Sequence, residues 1–405
     1  MIKIVNKISV IFFMAIFLFT PFLFLEKVVI LYVVFAIWFF TAILIDQSFF
    51  RECSNYFLYI VSFSILTFFL SVSDPTVEFA TFIHTSFFTY IWPIFFVFYS
   101  SRVKVLSRFL PLIYVLIVIS CLFTIYGNIV LPGASRSLAS TSADLARVRL
   151  QAKSLFVGGY GFVYAIALIL SSLAALFRGS KRAKKLVMFF TAFLFVITLI
   201  TASYFMSIII GILALILSFS RSDNKFKFLF VALFLIVIIM LFEEPILQGL
   251  ISIGESIDSE MLVKRAEQLL YGTYQEDYDF GNDFSRTERI INGMSNYLKS
   301  PVFGRIFGVP IGTLPSGHSE LIGYFEKYGL FGFLYTSFFF SVYKKTRRVY
   351  QSRSMMRQYS LTVVLFIVLI SLNTFEIANQ VGLAVFFLIP FSYLSMEQQS
   401  LGNTK

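Results

Sequence analysis

Charge, histidine and cysteine are all scarce in this chain. Asp, Glu, Lys and Arg together make up 14% of the 405 residues, whereas soluble proteins average about 25%. The sequence has two cysteines and two histidines. Cys53 and Cys121 belong to no CxxC or Cys/His cluster, so neither a disulfide nor a zinc site is predicted. Glycine loops of the kind that cradle nucleotide phosphates are also lacking. These absences argue against a soluble domain, a zinc protein and a P-loop enzyme.

Apolar residues dominate the sequence instead. Hydrophobic side chains account for 58% of the chain, aromatic ones for 19%, and the mean hydropathy is +0.84. Apolar runs of a length suited to crossing a bilayer recur along the whole sequence. Twelve such runs are predicted, at residues 8–25, 28–45, 57–72, 81–99, 109–131, 155–177, 186–201, 203–219, 228–243, 320–343, 358–373 and 379–395. The predicted fold class is therefore all-α, a polytopic integral membrane protein of about twelve transmembrane helices.

The net charge of +11 is distributed unevenly between the two sides of the predicted membrane. Most Lys and Arg residues fall in loops on the side that holds both termini, as in RGSKRAKK (178–185) and KKTRRVYQSRSMMR (344–357), whereas most acidic residues fall on the opposite side. Because basic loops stay in the cytoplasm, both termini are expected there. The basic loops are interpreted as topological anchors, and nucleic acid is not an expected partner.

Two connections between the predicted spans are long, and both fall on the outer side. The first, residues 131–154, is basic, and the second, within 243–318, is large enough to fold and to carry function. Within it, SRTERIINGMSNYLKSP (285–301) has apolar residues at helical spacing and ends at a proline, which predicts a helix. The chain therefore divides into spans one to nine (1–242), a large, partly helical outer loop (243–318) and spans ten to twelve (319–405).

One of the two histidines stands where the large loop meets the tenth span, in PSGHSELIGYFEKYGLFGFLY (315–335). An imidazole titrates near neutral pH, so His318 suits a general base or an orienting hydrogen-bond partner at the membrane boundary. The alternative interpretation of His318 is an interfacial histidine satisfied by nearby backbone. Ser319 and Glu320 are predicted to cap the following helix, and orientation of His318 is a second interpretation of Glu320.

The motifs of the large loop resemble those of the O-antigen polymerase and O-antigen ligase superfamily. In that family an arginine opens a helix, a proline- and glycine-containing turn ends it, and a histidine precedes a span that starts with a glutamate- and glycine-containing run. Here Arg286 stands at the arginine position, PVFG (301–304) at the turn, His318 at the histidine and FEKYGLFGFL (325–334) at the run. The resemblance covers about fifty residues, and the layout of spans with one large late loop agrees with it.

Three positions depart from the family pattern. Ser319 replaces the usual asparagine after the histidine, and Ile290 stands where a tryptophan is common. The second glycine of the turn is shifted to Gly308.

The resemblance implies glycosyl transfer at the periplasmic face of the bacterial inner membrane. It implies a donor glycan linked to undecaprenyl pyrophosphate, with no metal ion and no other cofactor. Arginine suits the pyrophosphate because its planar fork binds phosphate bidentately and stays charged at any working pH. The pyrophosphate-binding candidates are arginines of the two long loops: Arg147, Arg149, Arg286, Arg289 and Arg305. Pairing with local acids such as Asp283 and Glu288, or contact with lipid headgroups, is the alternative role of these arginines.

Two enzymes and one transporter fit the resemblance to different degrees. The favoured function is an O-antigen polymerase that moves the growing glycan from undecaprenyl pyrophosphate onto a lipid-linked repeat unit. The first alternative is an O-antigen ligase, which uses the same donor and transfers the glycan to lipid A-core. A lipid-linked oligosaccharide flippase is less favoured, because it needs charges in a central cavity rather than a folded outer loop. Membrane lipid, a chain-length regulator and a flippase are the partners that the resemblance brings into consideration.

Overall fold

The structure is a computed structural model that describes most of the chain. It covers residues 1–23, 27–72, 94–100, 109–138, 146–179, 182–219, 243–260, 262–263, 266–267, 286–308, 320–372 and 380–394. Nearly all of these residues are helical, and none of them lies in a β-strand. The predicted all-α class is therefore confirmed for the part of the chain that the structure describes. The predicted spans 81–99 and 228–243 lie largely outside the described residues.

The first half of the chain, up to the large loop, is a succession of helices. They are α1 (Ile2–Leu18), α2 (Thr20–Leu23), α3 (Lys27–Ile45), α4 (Phe49–Val72), α5 (Ile94–Ser100), α6 (Leu110–Val130), α7 (Ala134–Ser137), α8 (Ala146–Ser154), α9 (Tyr160–Gly179), α10 (Arg182–Thr201) and α11 (Phe205–Phe219). Most of the predicted apolar runs in this half coincide with one of these helices. Apolar surroundings offer no hydrogen-bond partners, and a helix pairs the backbone N–H and C=O groups of such a run within the run itself.

The second half of the chain contains the helices of the large loop and, after them, the last helices of the bundle. They are α12 (Glu243–Ser256), α13 (Arg286–Lys299), α14 (Val302–Phe307), α15 (Glu320–Tyr328), α16 (Gly332–Arg347), α17 (Arg353–Leu372) and α18 (Gln380–Leu394). A single 3₁₀ turn, Gly329–Phe331, separates α15 from α16. Within α18 the residues Ala384–Leu388 form a π-helical turn. Helix α13 ends two residues before Pro301, as its sequence predicted.

Two of the described helices are long and apolar enough to cross a membrane, namely Leu110–Val130 and Arg353–Ser371. Shorter apolar helices accompany them, and their outward faces carry large apolar side chains. Leu44, Leu58 and Phe69 are 69%, 67% and 66% exposed, respectively. Because soluble proteins rarely expose contiguous apolar patches of this kind, these faces agree with the membrane class that the composition predicts.

Helix α9 forms the centre of the bundle. Its residues from Phe162 to Leu173 are all buried, on every side of the helix. A helix that is apolar all round has to be covered in every direction. Helices α10, α11, α17 and α18 pack against α9 and provide that cover.

Hydroxyl groups connect the central helix to its neighbours inside the bundle. The Tyr114 hydroxyl of α6 lies 3.1 Å from the Ser172 Oγ of α9 and 2.9 Å from the Ser392 Oγ of α18. One residue earlier on α9, the Ser171 Oγ lies 2.9 Å from the Thr362 Oγ1 of α17. Because a buried polar group is costly unless it is paired, these bonds fix how the four helices align.

The predicted span 320–343 is not one continuous helix. Helix α15 ends at Tyr328, and α16 begins at Gly332. Gly329 adopts φ of 58°, in the left-handed region, which interrupts the run of helical backbone. The helical backbone of this run is therefore interrupted at Gly329, since glycine permits a conformation that the apolar pattern does not reveal.

Two further predicted spans differ from the structure at their ends. The run 155–177 becomes helical only at Tyr160, because Phe156 adopts φ of 56° and turns the chain before α9. The run 8–25 is replaced by α1, which starts at Ile2, and by the short α2, since the helical backbone is interrupted at Phe19. Apolar runs therefore predict the presence of these helices better than their ends.

The hydroxyl of Tyr114 provides a test of this helix arrangement. We expect Tyr114→Phe to lower the free energy of unfolding by about 0.5–2 kcal/mol, because the variant loses the hydrogen bonds that connect α6 to α9 and α18. Tyr126→Phe is the matched control, since Tyr126 lies on the same helix with 58% of its surface exposed. Thermal unfolding of the purified protein in detergent measures both variants, and equal midpoints for the two would contradict the arrangement.

Candidate functional site

The first long loop is held close to the end of α6. The Asn128 Nδ2 donates to the Ser135 Oγ at 2.8 Å, and the Ser135 backbone N–H donates to the Asn128 Oδ1 at 3.0 Å. Gly133 adopts φ of 77°, which lets the chain turn tightly between α6 and α7. The Tyr204 hydroxyl donates to the Ser135 carbonyl oxygen at 2.7 Å. The Arg136 guanidinium lies 5.8 Å from the centre of the Tyr204 ring, within the range of a cation–π contact.

The start of the large loop is attached to the same connection between α10 and α11. The Ser203 Oγ lies 2.8 Å from the Ser259 Oγ, and both side chains are buried. Ser203 and Asp258 both adopt left-handed backbone, with φ of 57° and 53°. Helix α12 ends at Ser256, two residues before the left-handed Asp258. The structure thus joins the two long loops through residues 203 and 204.

The later part of the large loop forms a helical hairpin of α13 and α14. Arg286 is the first described residue of α13, and the predicted helix is present from there to Lys299. Pro301 caps the start of α14, a position that suits its fixed φ and its missing N–H. The segment PVFG, predicted as a turn, is therefore the beginning of a short helix that ends at Gly308.

Arg305 lies on α14, exposed and held by one hydrogen bond. Its Nε donates to the Ser300 carbonyl oxygen at 2.9 Å. This oxygen lies just beyond the C-terminal end of α13, where a positive charge is favourable. The two Nη atoms of Arg305 have no hydrogen-bond partner among the residues that the structure describes. One edge of the guanidinium is thus held by Ser300, and no described residue occupies the other edge.

Gly329 lies at the contact between the segments PVFGRIFG (301–308) and FEKYGLFGFL (325–334). A Cβ atom built on Gly329 would overlap the carbonyl oxygen of Arg305 and crowd the carbonyl carbon of Ile306. The backbone of the 3₁₀ turn therefore lies directly against the backbone of α14. The Phe307 and Phe331 rings stack beside this contact, with centroids 5.2 Å apart. The run FEKYGLFGFL and the segment PVFGRIFG are thus packed together.

The other candidate arginines lie on two helices. Arg147 and Arg149 belong to α8, where Arg147 is exposed and Arg149 is partly buried. Arg286 and Arg289 belong to α13, and their side chains lie outside the described part of the structure. Among the described residues, no group of three or more His, Cys, Asp or Glu side chains could hold a metal ion.

The catalytic candidate is not among the residues that the structure describes. His318 and Ser319 lie outside the described residues, between α14 and α15. Glu320 is the first described residue of α15. Their roles therefore stay predictions.

An apolar cavity of about 320 Å³ opens next to the start of α15. It lies between α15, α16, α17 and α18, and Leu321 lines it at the end nearest to Glu320. Phe333, Phe340, Ile370 and Phe386 are among the other lining residues. Almost all of the lining is apolar, so the cavity suits a hydrocarbon chain and not a sugar.

Arg136 and Tyr204 are the residues at this end of the bundle that the sequence did not single out. Arg136 was visible as one of several basic residues of the first loop, but no spacing distinguished it. Tyr204 lies within a predicted apolar span, where tyrosine is unremarkable. Only the folded chain brings the two together.

The contact at Gly329 provides a direct test of this site. We expect Gly329→Ala to lower the free energy of unfolding by at least about 1–2 kcal/mol, because a left-handed alanine is strained and its Cβ would also overlap the Arg305 backbone. Gly323→Ala is the control: apart from the adjacent residues and the helix's own backbone, no described atom lies within 4 Å of a Cβ at this glycine. This variant should therefore keep the stability or raise it by up to about 1 kcal/mol. Thermal unfolding in detergent separates the two, and equal midpoints would show that α14 and the 3₁₀ turn are not in contact.

Comparisons of the chain with known proteins return nothing. No family model matches the chain, and no curated protein and no solved structure matches it either. Function therefore has to be argued from the site residues and their geometry, with the motif resemblance as its only family-level support.

Proposed function

We propose that this protein is an integral membrane glycosyltransferase of the O-antigen polymerase type. It would transfer a growing glycan from undecaprenyl pyrophosphate onto the sugar of a lipid-linked repeat unit. The observation that carries the proposal is the contact between Gly329 and the backbone of Arg305 and Ile306. This contact gives a physical reason for the order of motifs on which the family resemblance rests.

The proposed role of the arginines is to neutralise the leaving pyrophosphate. Arg305 supports this role because one edge of its guanidinium is held by the Ser300 carbonyl, and its Nη atoms have no partner among the described residues. Two parallel N–H donors on a planar group match two phosphate oxygens. Arg286 and Arg289 lie on α13, the helix that precedes α14 in the chain. Arg147 and Arg149 are further candidates on α8.

The proposed role of His318 is to accept the proton of the attacking hydroxyl group. The acceptor sugar needs such a group as its oxygen attacks the anomeric carbon, and imidazole serves at neutral pH. In the sequence, His318 stands two residues before Glu320, the first described residue of α15, and α15 borders the apolar cavity. A lipid whose tail occupies that cavity would hold its pyrophosphate close to this point.

The proposal includes a topology of twelve spans in a bacterial inner membrane. Both termini would lie in the cytoplasm, and the two long loops would lie in the periplasm. The bonds from the α10–α11 connection to both loops support the placement of the loops on one side. The two apolar helices of transmembrane length support the membrane location.

Reporter fusions test this topology. We expect alkaline phosphatase fused after Asp277 to be active and the same enzyme fused after Lys227 to be inactive, because the enzyme folds only in the periplasm. Green fluorescent protein at the same two positions should give the opposite pattern. Reversed results would place the arginines and His318 in the cytoplasm, away from any periplasmic glycan, and would overturn the proposed function.

The activity itself is testable with purified protein in detergent and EDTA. We expect an undecaprenyl-pyrophosphate-linked repeat unit, supplied alone, to be converted into a ladder of longer lipid-linked glycans. His318→Ala and Arg286→Lys should each abolish most of the ladder, since the first removes the proton acceptor and the second replaces a bidentate fork by a point charge. Gel electrophoresis of the lipid-linked products measures the ladder.

The controls separate this function from its neighbours. Arg347→Lys is the matched arginine control, because Arg347 lies at the opposite end of α16 from Gly332 and should leave the ladder unchanged. Product that forms only after addition of lipid A-core would identify a ligase. Transport of the lipid-linked unit without any change in its length would identify a flippase, and both outcomes contradict polymerisation.

A further inference from the structure

Helix α13 has three faces with different surroundings. One face packs against α15, with Gly293 buried and the Tyr297 ring 6.0 Å from the Phe325 ring. A second face is polar and exposed; it carries Asn296, and Lys299 lies between this face and the third one. Successive residues of a helix are separated by about 100°, so residues three and four positions apart share a face. Ile291, Met294 and Leu298 have this spacing and form the third face.

That third face is apolar and exposed. Ile291, Met294 and Leu298 are 59%, 40% and 60% exposed, and the same surface continues on α14 with Val302 at 66% and Phe303 at 69%. No described residue covers these five side chains to the extent that a protein core would. They form what we name the α13–α14 stripe. Its burial by some partner would be favourable by the ordinary hydrophobic effect.

The stripe is continuous with the apolar outside of the bundle. The Phe303 ring lies 4.7 Å from the Phe307 ring, which stacks on Phe331. Next to Phe331, Leu330 and Phe333 are 49% and 54% exposed. Exposed apolar side chains therefore extend from the loop helices to the start of α16, one of the helices proposed to span the membrane.

Positive charges lie along the edge of the stripe. Lys299 ends α13, and Arg305 is exposed on α14. The exposed Asn296 lies on the far side from the apolar face. Apolar side chains on one face with cations at the border form the pattern of helices that lie in the headgroup region of a bilayer.

We propose that the α13–α14 stripe lies in the membrane interface, with its apolar side chains among the upper acyl chains and Lys299 and Arg305 at the level of the lipid phosphates. The occupant of the stripe is the bilayer that surrounds the bundle. The proposal does not depend on the glycosyltransferase function. Its consequence for the site is geometric: Arg305 is held at the depth at which the phosphate of any membrane lipid lies.

Spin labels in the full-length protein test the proposal. Leu298→Cys and Asn296→Cys are labelled separately in nanodiscs of phosphatidylethanolamine and phosphatidylglycerol. The native Cys53 and Cys121 are fully buried, so the unsubstituted protein serves as the labelling control. The accessibility of each label is then measured separately to oxygen, which concentrates in lipid, and to a water-soluble nickel chelate.

We expect the oxygen-to-nickel accessibility ratio at Leu298 to exceed that at Asn296 several-fold, with the Leu298 label roughly 5–10 Å below the headgroups. Equal nickel accessibility at the two positions would mean that the stripe faces water. A Leu298 label shielded from both reagents would mean that a protein surface, such as a second copy of the chain, covers the stripe. Either result overturns the proposal, and Phe303→Cys repeats the measurement on α14 should Leu298→Cys fold poorly.

Discussion

The burial of α9 on every side is the constraint on which the arrangement of the bundle depends. A helix whose residues from Phe162 to Leu173 are all buried needs a neighbour in each direction, and α10, α11, α17 and α18 supply them. Their packing in turn decides where the connections emerge. Tyr204, in the connection after α10, lies with its ring 5.3 Å from the Tyr160 ring at the start of α9. The loops that carry the candidate site are thus positioned by a core that contains none of its residues.

Local sequence was sufficient to predict the helical class and most of the helices, because long apolar runs and helical spacing are local properties. It was not sufficient to predict where helices stop. Phe156 and Ser203 adopt left-handed backbone although neither residue type favours it. Ser203 is bonded to Ser259, far along the chain, so its conformation belongs to a tertiary contact. Such contacts leave no mark on the sequence around either residue.

The candidate site divides in the same way. Arg286 and Pro301 were visible as motif residues, and the structure has Arg286 on α13 and Pro301 immediately before α14. The reason for Gly329 was not visible, since the atoms that exclude a side chain there belong to the backbone of Arg305 and Ile306. Arg136 likewise gained its partner, the Tyr204 ring, only through folding. Chemistry-bearing residue types are thus predictable from sequence, whereas their supports are not.

The π-helical turn of Ala384–Leu388 determines which neighbours α18 can meet. A π turn holds one residue more than an α turn, so every side chain after it is rotated by about 100° relative to an unbroken helix. Within the turn, the Phe386 ring lies 5.2 Å from the Phe339 ring of α16. Beyond it, the Ser392 Oγ lies 2.9 Å from the Tyr114 hydroxyl of α6. Because of the extra residue, the side chains before and after the π turn point in directions that a regular helix would not give them. One helix can therefore pack against α16 and against α6.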